Sequence, residues 1–186
     1  MKVDRNNYDF ITEDHLKLFR NLDDDVRIIY QKIKKDDKQV WRRAYIKAIF
    51  STIEATVYYL RRFIKKIQEN DDLSLSLTQQ KNLDEFYFAK TEKRNYKKKG
   101  FRLPFLEKIV FLIELFAYSN YLFIKIDKDN KGWKCLESSL RIRNRITHPK
   151  KYSDVFITDK ELKLANQAYK WFYDTIIIYT IIHIKN

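Results

Sequence analysis

The chain has 186 residues, of which Lys and Arg make up 38 and Asp and Glu 25, a net charge of +13. An apolar fraction of 45% excludes a disordered chain, and only two glycines and two prolines argue against a many-turned all-β fold. A single cysteine, Cys135, excludes an internal disulfide framework and a cysteine-based zinc site.

The N-terminal segment Met1–Phe10 is polar and lacks an apolar stretch of signal-peptide type, so no targeting segment is expected. Thr12 is placed to cap a helix running to about Lys35, with Leu16, Phe19, Leu22, Val26, Ile29 and Ile33 at helical spacing. His15 reads as an ordinary surface histidine, and Asp23–Asp25 as a run facing water or a basic surface. The second helix carries one long stripe from Trp41 through Tyr45, Ile49, Ile53, Val57, Leu60 and Ile64 to Ile67, and ends near Asn70–Asp72. Glu54 interrupts it beside the stripe, with Tyr58 one turn later. Leu73–Leu77 alternates Leu with Ser and reads as a short extended piece or linker. A helix after Thr78, through Leu83, Phe86 and Tyr87, is expected to reach about Thr91.

Lys93–Arg102 is a basic connector, most simply a solvated loop. Pro104 suits the first turn of a helix extending to about Phe123, and Asp127–Gly132 is a turn. The next helix starts near Trp133 and stops at Pro149, because the residue before proline disfavours the helical region. Thr158 and Glu161 form a capping box that opens the last helix, apolar around much of its circumference near Ile176–Ile182. His183 reads as a packed core histidine. The two most apolar stretches, 105–126 and 175–184, are either interrupted by charge or too short to span a bilayer. Together these elements describe an all-α chain: a single domain over residues 1–186, a bundle of five to six helices, with no repeat and no internal boundary.

Glycines only at 100 and 132 exclude phosphate-cradling Gly-rich loops and the G-x-S-x-G elbow, and three isolated histidines offer no metal-ligand spacing. No metal or cofactor is expected. The aromatic runs Phe86–Phe88 and Trp171–Tyr173 read as core, with an exposed base-stacking ring as the alternative. The charge favours an anionic partner, nucleic acid before a membrane surface, unless the lysines serve only solubility.

Chemistry concentrates in the helix of residues 133–148. On a wheel of about 100° per residue, its apolar arc holds Ile142, Cys135, Ile146, Leu136, Leu140 and Trp133, and Arg143 falls within that arc at about 280°. A guanidinium there needs a carboxylate, carbonyls, a partner subunit or a phosphate. Glu54 is the acidic residue placed to neutralise it, and an ordinary buried Arg–Glu pair is the plainest alternative to a functional role. Arg141 and Arg145 are expected to point to solvent. Asn144 and His148 are four apart on one face, and His148 sits at the helix end, where exposed carbonyls favour an imidazolium.

The run Arg143-Asn144-Arg145-Ile146-Thr147-His148 resembles the R-x4-6-H motif of the HEPN superfamily in its R-N-x3-H form. The resemblance is sharpest over Leu140–Lys150. It implies a small helical bundle that forms a homodimer. For many members it also implies a metal-independent endoribonuclease of toxin–antitoxin or anti-phage systems, with an antitoxin or other defence protein as partner; the two apolar stretches, read as core helices, add the expectation of a soluble cytoplasmic protein with no membrane association. On that reading Arg143, Asn144 and His148 are the catalytic set and Glu54 and Tyr58 support it. Arg141, Arg145, Lys150 and Lys151 would hold the RNA backbone. RNA supplies its own nucleophile, so attack by the 2′-hydroxyl would leave a 2′,3′-cyclic phosphate and a 5′-hydroxyl. The rival readings are a catalytically inactive HEPN-like module that binds RNA or protein, and an unrelated basic helical scaffold with a coincidental motif.

Overall fold

The computed structural model describes residues 9–69, 73–90 and 96–180. Among these residues the regular structure is six α-helices and one two-stranded hairpin, in the order α1 (Asp9–Lys35), α2 (Gln39–Glu69), α3 (Leu77–Asp84), β1 (Phe86–Lys90), β2 (Tyr96–Gly100), α4 (Phe105–Ser119), α5 (Lys131–Thr147) and α6 (Asp159–Phe172). The described residues are all-α apart from that hairpin. Its contacts group it into two compact units, residues 57–126 and residues 9–56 with 127–180, which divide α2 after Thr56.

In the first unit α3 starts two residues earlier than the sequence suggests. Ser76, not Thr78, caps it, with Gln79 closing a reciprocal capping box. It also ends sooner: Glu85 takes a left-handed conformation (φ 60°) and the chain turns into β1. The expected helix through Phe86 and Tyr87 is therefore a strand, because consecutive aromatic residues pack better on a pleated surface than on a helix. Its partner is the basic connector, paired antiparallel with Phe86 opposite Gly100 and Tyr87 opposite Lys99. The left-handed turn is secured by Arg61, which donates to the carbonyls of Leu83 (2.6 Å) and Asp84 (2.9 Å) and to the Glu85 carboxylate (2.7 Å). Lys108 reaches the same carboxylate. The α4 helix stops at Ser119, short of Phe123, and Leu122 and Asn120 return their N–H groups to the Ala117 carbonyl.

The second unit contains the helices around the motif. Its core takes Phe19, Val26 and Ile33 from α1, Tyr45, Ile46, Ile49 and Ile53 from α2, Trp133, Leu136 and Ile142 from α5, and Ala165, Ala168 and Phe172 from α6. Two sequence readings of α1 are corrected here. His15 is buried, 6.4 Å from the Phe19 ring centroid, and Asp23 is buried, accepting a 2.6 Å hydrogen bond from the Tyr169 hydroxyl. The hydrophobic periodicity allows two neighbouring phases of the helix, and the one adopted turns the 15-19-23 row inward. The Thr158–Glu161 capping box forms as expected, and α6 runs on through a π-helical turn, Tyr173–Ile177. The reading of His183 falls outside the described residues, as do residues 91–95 of the aromatic-to-basic connection. None of the described helices is long and apolar enough to cross a membrane.

Gly132, in the first turn of α5, lies directly against Trp171, which meets Trp133 edge-on at 5.9 Å between ring centroids. A Cβ at this position would lie 2.1 Å from Trp171 Cγ. Gly132→Ala must therefore displace the indole. It is expected to lower stability by about 1–3 kcal/mol, read as a shifted denaturant midpoint with unchanged m-value.

Candidate functional site at the end of α5

The C-terminal half of α5 carries the motif. Its buried face narrows along the helix: Ser139, Ile142 and Ile146 are buried, whereas Leu140 is half-buried and Thr147 is exposed. Arg143 therefore lies at the edge of the apolar face and not within it, and its side chain keeps 29% exposure. The wheel averages over the whole helix and misses that taper.

Arg143 is engaged on both arms. Nη2 meets Glu54 Oε1 of α2 at 2.5 Å, and Nη1 donates to Asn144 Oδ1 at 3.1 Å. Glu54 is itself 44% exposed, so this is a half-open ion pair and not a buried one. Such a pair contributes about 0–1 kcal/mol to stability, so it is a poor reason for the fold to keep both groups. Asn144 is exposed and acts as a second acceptor for the guanidinium.

His148 caps the helix. Its backbone N–H donates to the Asn144 carbonyl at 3.0 Å, and its imidazole is exposed with no hydrogen-bond partner among the described residues. Thr147 donates to the Arg143 carbonyl at 2.7 Å, which occupies one of the last carbonyls of the helix. One end of one helix therefore presents a guanidinium held in a planar fork, a side-chain amide and an open imidazole.

The flanking residues divide. Arg141 is exposed. Lys150 and Lys151 are also exposed, while their backbone N–H groups both donate to Asp154 Oδ2, at 2.8 and 3.1 Å, which fixes the chain just after Pro149. Those bonds and the charge of Lys151 hold the Asp154 carboxyl below its usual range. Arg145 departs from expectation. It folds onto the start of α6, donating to the Phe156 carbonyl at 2.9 Å and pairing with Glu161 at 3.0 Å, instead of pointing to solvent. Its partners come from the segment that doubles back after Pro149, which helical periodicity does not register. Tyr58 is exposed on α2, with the Arg62 guanidinium carbon 5.9 Å from its ring centroid.

Two aromatic residues that the sequence reading passed over stand beside the motif. Tyr152 is 88% exposed and Phe156 50% exposed, on the short 3-10 turn Tyr152–Val155 and just after it. The available signal was an aromatic pair set among turn-forming Ser153 and Asp154, where nothing requires a ring for packing. Among the described residues no cluster of His, Cys, Asp and Glu is arranged to hold a metal ion. Comparison of the chain with protein-family models, with curated proteins and with solved structures finds no match to any.

Proposed function

We propose that the end of α5 is the reaction centre of a metal-independent endoribonuclease. The observation that carries this reading is the open imidazole of His148 on the same helix end as a guanidinium tied to Asn144 and Glu54. The resemblance of Arg143–His148 to the HEPN motif supplies the reaction class.

Cleavage moves a proton from the RNA 2′-hydroxyl to a base while its oxygen attacks the adjacent phosphorus. The P–O5′ bond breaks, and an acid returns a proton to the departing 5′-oxygen. An imidazole can accept a proton in one transfer and donate one in the other. Arg143 would leave Glu54 for a phosphoryl oxygen, exchanging one anion for another in the same planar geometry. Asn144 then keeps the guanidinium in register. One chain supplies one such histidine. A two-fold dimer apposing two helix ends supplies a base and an acid. The exposed Arg141, Lys150 and Lys151 suit the flanking phosphates, in keeping with a net charge of +13. The biological role that fits is the toxic half of a defence module, acting in the cytoplasm and restrained by a partner protein.

The test is cleavage of a single-stranded RNA in the presence of a chelator, beside the same sequence with 2′-deoxy sugars. Cutting of the RNA alone, with 2′,3′-cyclic phosphate ends by mass spectrometry, is the expected result. Equal cutting of both strands, or of neither, overturns the proposal.

A further inference from the structure

An open cleft of about 520 Å³ lies beside the motif, with Arg145, Tyr152, Phe156, Lys160 and Glu161 in its lining. It belongs to one compact unit and to one stretch of chain, residues 145–161. We propose that this cleft is a nucleobase subsite for single-stranded RNA, with Tyr152 as its stacking ring. The proposal rests on the ribonuclease reading and extends it from the scissile phosphate to a neighbouring base.

The walls fit a flat, polar-edged ring. The Tyr152 side chain is almost wholly in solvent, which leaves both faces of its ring available, and Phe156 is half exposed beside it. Arg145 is fixed between the Phe156 carbonyl and Glu161, while its Nη1 donates to no protein group among the described residues. It is thus a preset donor for an acceptor on a base edge. Glu161 has both oxygens committed, one to Arg145 and the other to the N–H and hydroxyl of Thr158, so it does not repel an incoming phosphate as a free carboxylate would. Lys160 lines the cleft, and Lys150 and Lys151 are exposed just before Tyr152 in the chain, complementary to a polyanion. An aromatic shelf with a basic rim is the pairing that single-stranded nucleic acid requires: rings for the bases and cations for the backbone.

Position ties the cleft to the reaction. Arg145 lies three residues before His148 on the same helix, a rise of about 4.5 Å. Tyr152 lies four residues after His148, so their Cα atoms are within about 14 Å whatever path the chain takes. A base in the cleft therefore belongs to a nucleotide next to, or a few removed from, the one whose phosphate reaches Arg143. The Asp154 bonds to the Lys150 and Lys151 N–H groups hold that short path in one shape.

The experiment uses the full chain, a short single-stranded RNA, and copies of it carrying one abasic site at each position in turn. Cleavage is followed with the unaltered protein and with Tyr152→Ala and Tyr152→Phe. Equilibrium binding is followed by fluorescence anisotropy in a His148→Ala background. Tyr152→Ala is expected to weaken binding by about 5- to 100-fold at an unchanged melting temperature, and Tyr152→Phe to retain it. One abasic position should reproduce the loss and add nothing to Tyr152→Ala. Cleavage and binding unchanged by Tyr152→Ala overturn the subsite and leave the ribonuclease reading standing. Binding that depends on Tyr152, without cleavage by the unaltered protein, upholds the subsite and removes the ribonuclease. A Tyr152→Ala protein that binds RNA normally but changes oligomeric state overturns the proposal and marks the shelf as a protein interface.

Discussion

Replacing His148 by alanine is expected to reduce RNA cleavage by about 10²- to 10⁴-fold, the range that one positioned proton-transfer group supplies. Its effect on folding should be close to nil. The imidazole is exposed and makes no hydrogen bond among the described residues; what the residue gives the fold is a backbone N–H to the Asn144 carbonyl, which alanine retains. Thermal unfolding measured beside the cleavage rate separates the two roles. A lost rate with an unmoved melting temperature is the catalytic outcome, and a rate that falls only in step with a falling melting temperature contradicts it. Two further substitutions sharpen the reading. Arg143→Lys keeps the charge opposite Glu54 but lacks the fork that serves Glu54 and Asn144 together, so binding should survive better than turnover. Glu54→Ala removes one partner of a half-exposed pair and should change stability by no more than about 1 kcal/mol. If Glu54 also competes with phosphate for Arg143, the same variant should bind RNA at least as tightly as the unaltered protein.

The motif helix and the last helix were legible because their signals are local. The capping box needs only Thr158 and Glu161, and the end of α5 needs only Pro149 after a run of helical spacing. The Arg143–Glu54 pair joins residues 89 apart, yet it was accessible, because a single carboxylate beside the apolar stripe of α2 had few rivals. The hairpin was not accessible, since Leu83, Phe86 and Tyr87 satisfy a helical spacing as well as they fill a strand. The deciding contacts, Arg61 to three consecutive residues at the end of α3, come from another element. Arg145 and Asp23 failed for one common reason. Each is a charged residue whose cost of burial is met by a group far along the chain or on a returning turn, Phe156 and Glu161 for the first and Tyr169 for the second. A one-dimensional pattern assigns such residues to solvent by default.

The same inward row of α1 gives the protein an acid-sensitive component of stability. Burial pushes the His15 imidazole down to about 4 from an ordinary value near 6.5. Between those two values the unfolded chain binds a proton that the folded chain refuses, so stability rises with pH across that window and falls on acidification. The full difference is about 3 kcal/mol, complete near pH 4, because each pH unit of separation corresponds to about 1.4 kcal/mol. Carboxylates act in a different window. Burial opposes ionisation of Asp84 and Glu85, yet hydrogen bonds from Lys65 and Lys108 hold both below their ordinary values, so what they contribute is lost as pH falls through and below those ordinary values. Denaturant midpoints measured from about pH 7.5 to about pH 5.5 therefore report the histidine ahead of the carboxylates. The midpoint should decline across that range in the unaltered protein, and His15→Leu should flatten the decline while leaving the lower acid limb in place. An equal slope in both proteins would show that His15 accepts its proton as readily folded as unfolded, and would place the acid sensitivity elsewhere in the molecule.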